Sequence, residues 1–398
     1  MRELKKVVLF AHQLVAPGGG ERLLLEEAKY FEKKGVEVKV LAFDAKKAGL
    51  YDYEVNLDVI GEKGIIPRIV SLRKKLKEIH PDLLIMHSSG DCIYAYFATK
   101  FTGIPYVAFI HGTLFWFHDD LMKYAFIHKR VFDEIRESVT GHKEFVPPKL
   151  PKCGPLKRVK LEIGAILEYL AVRDAKKIFV VSNHNKWEVG KIYDKDAIVA
   201  RGALDPKIFR YKPKKNIKKE LGLEGKTIVL NVNRLDPRKR VDLLIKAFKS
   251  LSEKIGNIVL VIGGIGSEEK NLKNLAEKLN LRDKVKFVGF IEEEDLWDYY
   301  SACDVFVHPN WADFAIAPYE ALALQKKVVW STEMETDESI MKSGRIFVAD
   351  PTVGDFAKAI ERALTTEIRG RADLSDYMWE RYFGKIYHAC EDVVSQLK

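Results

Sequence analysis

Short apolar runs alternate along this chain with longer segments whose apolar positions repeat at helical spacing. Val7 to Phe10, Val36 to Phe43, Leu83 to Met86, Pro105 to Ile110, Ile178 to Val181 and Ile198 to Ala200 read as buried strands. Between them, Glu21 to Lys34 has helical periodicity and stops at Gly35, a natural helix terminator. Ile69 to Ile79 is a basic helix closed by the turn His80-Pro81-Asp82, and a helix from about Cys92 to Phe101 ends at Thr102-Gly103. The same alternation resumes with the strands Thr227 to Val232, Ile258 to Ile262, Val285 to Val288 and Asp304 to Val307. The helices of this second series are Val241 to Leu251 and Tyr319 to Leu324. Strands alternating with helices predict doubly wound parallel sheets of the α/β class. The polar, basic stretch Pro213 to Lys219 between the two series predicts a linker, hence two domains. The final helix, Asp373 to Gln396, carries Tyr377, Trp379, Tyr382, Phe383 and Tyr387, which demand a surface to dock on.

In an open parallel sheet, ligands bind beyond the carboxyl ends of the strands, so residues just after each strand are the candidates for chemistry. His308 to Leu324 is the richest such stretch. It joins a strand to a helix start, and Glu320 is placed in the first turn, where a carboxylate can hold the vicinal hydroxyls of a ribose or simply cap the helix. Asn233 to Arg240 follows another strand and holds four cations within seven residues: Arg234, Arg238, Lys239 and Arg240. Arg can fork onto two phosphate oxygens and Lys adds a point charge, so a diphosphate is one explanation and a solvated basic turn the other. Glycine turns at Gly263-Gly264-Ile265-Gly266 and Gly289-Phe290-Ile291 face the same end. In the first series, Gly18, Gly19 and Gly20 permit close backbone approach or a plain flexible connection. His111 directly follows a strand, where it suits a sugar hydroxyl or developing charge; a packed, hydrogen-bonded histidine is the alternative.

At 398 residues and 47% apolar, the chain has material for sizeable cores. Its 31% charged residues, with glutamine only at Gln13, Gln325 and Gln396, suggest a thermophile's surface. The net charge of +9 is carried entirely by residues 1–210, so an anionic partner is expected on that half: a phosphorylated acceptor, an anionic membrane surface or nucleic acid. No nucleic-acid-binding module is recognised. The stretch from about 114 to 175 combines the apolar cluster Leu114 to Phe117 with the proline-rich, acid-free segment Val146 to Lys160. That pairing suits an anionic lipid surface or a solvated loop over a core. Cys92, Cys153, Cys303 and Cys390 are scattered, which argues against a zinc site or a disulfide framework and for a reducing cytoplasm. No signal peptide or membrane-spanning run is apparent, so any membrane role is expected to be peripheral, at the inner face of the cell membrane.

Taken in order, these motifs resemble the family-4 retaining glycosyltransferases. The Gly-Gly-x-Glu loop falls on Gly18 to Arg22, the histidine after the fourth strand on His111, and the helix-opening serine on Ser182. The R-L-x-x-x-K signature falls on Arg234 and Lys239, the G-x-G turn on Gly264 to Gly266, and the F-x-G-x turn on Phe287 to Phe290. The Glu-x7-Glu motif keeps Phe314 and Glu320-Ala321, but its first acid is Ala312 and the glycine after Phe314 is Ala315. Asp313 lies one residue along. The chain also departs from the family at Arg240, where glycine is usual, and across Ser331 to Glu338, which lacks the usual glycines.

The resemblance implies a GT-B fold, with two Rossmann-like doubly wound domains facing a cleft and a C-terminal helix crossing back to the first. It implies an acceptor-side domain at 1–204, a nucleotide-sugar-binding domain at 205–374 and the returning helix at 375–398, with closure hinged near residues 205–220. It implies a metal-independent transfer of a hexose from a nucleotide sugar, GDP-mannose or a UDP-sugar, to a lipid-linked or glycan acceptor, with no other cofactor. Arg234 and Lys239 would neutralise the departing diphosphate in place of a metal, and His111 would meet the donor sugar. Gly19 and Gly20 would bring the first helix near the reacting centre. Gly264, Gly266, Phe290, Ile291, Asp313, Phe314, Ala315, Ile316 and Glu320 would line the donor site. Because Ala312 cannot replace an acid, a weakened binding or partner subunit on the same fold is the competing expectation.

Overall fold

The computed structural model describes residues 2–15, 19–46, 53–111, 154–202, 204–310, 314–336 and 338–397. They divide into two units: Met1–Arg201 with Glu380–Lys398, and Gly202–Trp379. The passage from the first unit to the second thus falls at Gly202, ahead of the polar stretch 213–219, which lies inside the second unit.

The first unit is built on a seven-stranded parallel sheet. Its strands are β1 (Lys6–Leu14), β2 (Glu37–Ala45), β3 (Leu57–Val59), β4 (Leu83–Met86), β5 (Tyr106–Ile110), β6 (Ile178–Val180) and β7 (Ile198–Val199), in the order β3-β2-β1-β4-β5-β6-β7. Beta-branched and aromatic residues buried on both faces make this a central sheet covered by helices. The order reverses between β1 and β4, so their carboxyl ends border the crevice of a doubly wound fold. Residues 154–202 open with the helix Pro155–Asp174, within the stretch for which a lipid-facing surface or a solvated loop was expected. The terminal helix Trp379–Ser395 meets the docking requirement of its aromatic residues inside this unit. Phe383 lies 5.6 Å from Tyr30, Tyr387 5.3 Å from Phe31 and Tyr382 5.9 Å from Phe109. Each such buried ring contributes about 2 kcal/mol of apolar burial.

The second unit carries β8 (Thr227–Val232), β9 (Ile258–Gly263), β10 (Val285–Gly289), β11 (Val305–His308), β12 (Lys327–Ser331) and β13 (Ile346–Ala349), in the order β10-β9-β8-β11-β12-β13, all parallel. Its switch point lies between β8 and β11. The helix Val241–Lys254 fills one face with Leu244, Phe248 and Leu251, packed against Val229, Leu260 and Phe356. The other face holds Trp330, Tyr319, Tyr300 and Phe306.

Two helices begin earlier than their periodicity indicated, and proline explains both. Ile65–Ile79 has Pro67 and Ile316–Ala323 has Pro318 at the third helical position, where no intrahelical partner awaits an N–H. Glu320 therefore belongs to the second turn of its helix, not the first. Gly202 has φ +130°, and a Cβ there would come within 2.7 Å of the Tyr377 carbonyl oxygen. That close approach lets Leu204 and Met378 pair, with Leu204 N–H donating to Tyr377 O (2.9 Å) and Trp379 N–H to Leu204 O (3.1 Å). Gly202→Ala is expected to cost about 2 kcal/mol of stability in urea denaturation. A change below roughly 0.5 kcal/mol, the range of an ordinary surface substitution, would contradict the requirement.

Candidate functional site

In the second unit the loops leaving β8 and β9 are stitched backbone to backbone. Asn233 N–H donates to Gly263 O (3.0 Å), Leu235 N–H to Ile265 O (2.9 Å), Glu268 N–H to Leu235 O (2.9 Å) and Gly264 N–H to Gly289 O (2.6 Å). A Cβ on Gly264, whose φ is +122°, would be driven into the Asn233 carbonyl, and one on Gly266 into the backbone of Leu235. Both glycines thus serve the approach of one loop to the other. Ile291 packs its side chain on Gly263, while Phe290 stands half-exposed beside this turn.

The stitched loop places the four cations in two different situations. Asp236 caps the turn Pro237–Lys239 by accepting from Arg238 N–H (3.1 Å), and the Arg238 guanidinium lies 3.4 Å from its other oxygen. Arg240, in the left-handed region at φ +46°, forks onto Glu333 just beyond β12, with Nη2 donating to Oε1 at 3.2 Å. Ser331 Oγ donates to the same carboxylate (2.8 Å). The pair is nearly closed off from solvent, so Arg240 at a usual glycine position and Glu333 in the segment lacking the usual glycines are one coupled feature. Arg234 is exposed, with no hydrogen bond or ion pair to a side chain among the described residues. Lys239 meets a neutral partner: with the Asn310 amide oriented by its surroundings, the Asn310 oxygen accepts from Lys239 Nζ and His308 Nε2, both at 3.0 Å, and its nitrogen donates to Lys239 O (3.3 Å). Desolvation brings the Lys239 ammonium from 10.5 down to about 8. Burial, with that ammonium adding to it, holds His308 neutral, well below its ordinary value.

Glu320 is buried and accepts from Trp297 Nε1 (3.4 Å); burial and this carboxylate together push the Tyr300 hydroxyl far up. Phe314 belongs to an aromatic stack with Tyr319 (5.1 Å) and Tyr377 (6.5 Å). Ala315 is the extended residue before the helix and Ile316 its first residue. Asp313 and Ala312 lie outside the described residues. A cavity of ≈ 580 Å³ lined by Pro213, Asn216, Asp298 and Asp304 sits at the amino end of β11, opposite the strand ends that carry these groups.

In the first unit, His111 follows β5 as expected. Its ring stacks on Phe109 (4.1 Å) and its Nε2 lies 3.1 Å from His87 Nδ1. Burial pulls His111 from 6.5 down to about 4. Gly19 and Gly20 open the helix Gly19–Lys33, and a Cβ on either would meet nothing within 4 Å. Both are helical and neither has a positive φ; Gly18 lies outside the described residues. Ser182 caps the helix Asn183–Tyr193, its Oγ accepting from Asn185 N–H (2.9 Å). Among the described residues, no group of three or more His, Cys, Asp and Glu side chains is placed to hold a metal ion, and no helix is long and apolar enough to cross a membrane.

His308 and Asn310 within the stretch His308 to Leu324, Glu333 within Ser331 to Glu338, and Glu27 and His87 had no individual role expected of them. An amide and an imidazole at a strand's carboxyl end were a usable signal for the first two. Glu27 lies on the buried face marked by Leu24, Ala28 and Phe31, where a carboxylate is conspicuous.

Residues 17–202 match Glycosyltransferase Family 4 and residues 213–380 match Glycosyl transferases group 1. The chain belongs to the family-4, group 1 glycosyltransferases, and its two Rossmann-like units are those of the GT-B fold. An uncharacterized glycosyltransferase of Methanocaldococcus jannaschii is 30% identical over 194 residues, 46% of this chain and 49% of that one. The match therefore spans about half of that relative's length. An uncharacterized glycosyltransferase of Haemophilus influenzae is 25% identical over 334 residues, 82% of this chain and 80% of its own length. Among solved structures, Anabaena HepE in complex with UDP superposes with a TM-score of 0.66 at 18% identity, over 99% of this chain and 95% of that one.

Replacing Asn310 by leucine leaves the ammonium of Lys239 and the imidazole of His308 without their shared acceptor, at an expected cost of about 2 kcal/mol near neutral pH. The cost is expected to shrink above pH 8, where Lys239 is neutral. Urea denaturation at pH 7 and pH 9.5 checks this, and equal costs at the two values would contradict it.

Proposed function

We propose that the protein is a retaining, metal-independent hexosyltransferase that moves a hexose from a nucleotide sugar, GDP-mannose or a UDP-sugar, to a lipid-linked or glycan acceptor. One observation carries this reading: of four clustered cations, Arg238 and Arg240 are matched by carboxylates, while among the described residues Arg234 and Lys239 are not. Two positive charges at the carboxyl end of β8, beside a locked glycine turn, suit a diphosphate. A phosphate beside Lys239 would raise its lowered pKa and restore its full charge. The two cations then stabilise the leaving diphosphate electrostatically, in the role a metal plays elsewhere. Glu320 holds the ribose, and the backbone near Phe290 and Ile291 faces the base. UDP in the Anabaena structure supports a nucleotide ligand for this fold, and the Gly-Gly-Glu-Arg-Leu-Leu opening, which resembles that of mannosyltransferases of lipid-linked oligosaccharide assembly, favours GDP-mannose.

Retention follows from displacement on the same face of the sugar, with the leaving phosphate taking the acceptor's proton. His111, neutral and buried, contacts the donor sugar as a hydrogen-bonding group and does not act as a nucleophile. The acceptor is approached from the first unit, and the surface near the helix Pro155–Asp174 meets anionic lipid: Leu156, Val159 and Ile163 stand exposed on it beside Lys157, Arg158 and Lys160. The rival reading, a weakened binding subunit, rests on Ala312, where the family carries an acid.

Lys239→Ala is expected to lower sugar transfer, or slow donor hydrolysis, by about a hundredfold or more, and wild-type turnover is expected to survive excess EDTA. Absence of turnover in the wild type with every common GDP- and UDP-sugar would favour the binding subunit. Neutralising Lys157, Arg158 and Lys160 together is expected to reduce sedimentation with phosphatidylserine-containing vesicles; unchanged sedimentation would remove the lipid contact.

A further inference from the structure

Glu27, His87 and His111 lie in line inside the first unit, and the turnover scheme above uses only the last of them. Glu27 comes from the helix Gly19–Lys33, His87 follows β4 and His111 follows β5. Glu27 Oε2 is 3.4 Å from His87 Nε2, ion-pair distance without hydrogen-bond geometry among the described residues, and His87 Nδ1 is within hydrogen-bond distance of His111 Nε2, at 3.1 Å. The two imidazole planes are within 9° of parallel. The Glu27 and His87 side chains are 2% and 7% exposed, and His111 Nδ1 is buried without a hydrogen-bond partner among the described residues.

We infer that these three side chains form a relay whose polarity sets whether His111 offers a donor or an acceptor to the substrate, which makes Glu27 and His87 positioning residues of the transfer reaction. The inference rests on the reading that His111 faces the donor sugar. A neutral imidazole carries one proton and one lone pair, so each link fixes the next. When Glu27 is protonated, its O–H is the donor available to His87 Nε2, 3.4 Å away. His87 then carries its proton on Nδ1 and donates to His111 Nε2, and His111 is left with N–H at Nδ1. When Glu27 is ionised, His87 Nε2–H donates to the carboxylate, His111 Nε2–H donates to His87 Nδ1, and His111 Nδ1 becomes a lone pair. One proton leaves to solvent and every link reverses.

The surroundings favour the first state at neutral pH. Among the described residues, the Tyr382 hydroxyl and the Cys390 thiol of the helix Trp379–Ser395 feel the Glu27 charge: both are buried, and both are pushed up by burial first and by Glu27 second. Burial lifts Glu27 from 4.5 to about 8. Burial also holds His87, faced by Glu27 and His111, and His111, faced by His87, below their ordinary values, so both are neutral throughout this range. A raised carboxylate stabilises the folded state fully below about pH 4.5 and loses that contribution as pH rises through about 8.

Nitrogen-15 NMR of histidine-labelled full-length protein reads the tautomer directly. The expected result is His111 protonated at Nδ1 at pH 6.5 and at Nε2 above pH 9, with a midpoint near 8 that is absent in Glu27→Gln, whose amide donates but does not ionise. Protonation at Nε2 already at pH 6.5, a tautomer that does not change with pH, or the same transition in Glu27→Gln would each overturn the relay. Should Glu27→Gln fail to fold, the wild-type titration alone decides. A parallel step in kcat/KM for GDP-mannose or UDP-glucose near pH 8, flattened in Glu27→Gln, ties the relay to turnover. A tautomer switch with no kinetic step would leave the relay standing and place the error in the assignment of His111 to the sugar.

Discussion

The approach of two backbones at the ends of β8 and β9 is the constraint on which the second unit's chemistry depends. Side chains at 264 and 266 would keep the loops apart, and the hydrogen bonds from Asn233, Leu235 and Glu268 would be lost. With glycine at both places the β8 loop is fixed at its start, and Asp236 fixes its turn. The side chains of Arg234 and Lys239 therefore leave a rigid frame. That is what preorganised electrostatics requires, because charges already in place need not be reoriented when a leaving group develops its own.

Charge is then divided by neighbours. Two of the four cations are consumed in holding the loop: Arg238 on its own cap, and Arg240 on Glu333 across from β12. Lys239 is held by an amide, a partner that positions without neutralising, and desolvation leaves it short of a full counter-charge. The first unit follows the same logic with opposite sign. Burial favours the protonated form of the Glu27 carboxyl and the neutral form of the histidines beside it.

Much of the fold was legible because buried parallel strands and amphipathic helices have different periods. The alternation of the two foretold doubly wound sheets, and strand-end position singled out Arg234, Lys239 and His111. Other features depend on contacts that no local pattern carries. β3 spans only Leu57–Val59 and is a strand because β2 offers it an edge. Pro67 and Pro318 look like helix breakers in sequence, yet sit where a first turn accepts them. The pairing of Arg240 with Glu333 joins residues 93 positions apart, so each alone looked like a departure from a motif. Gly19 and Gly20 carried a conformational expectation that their helical backbone does not use, whereas Gly264 and Gly266 answer to sterics visible only in three dimensions.

The central claim is that Arg234, Lys239 and Glu320 form a nucleoside diphosphate site that needs no metal. Calorimetric titration of GDP, UDP and ADP into the wild type, Arg234→Ala and Glu320→Ala, in metal-free buffer, tests it most directly. The account predicts selective binding of one diphosphate, weakened about tenfold or more in each variant, as expected when a charge-assisted hydrogen bond is lost. No binding of any of the three, or binding unaffected by either substitution, would contradict it.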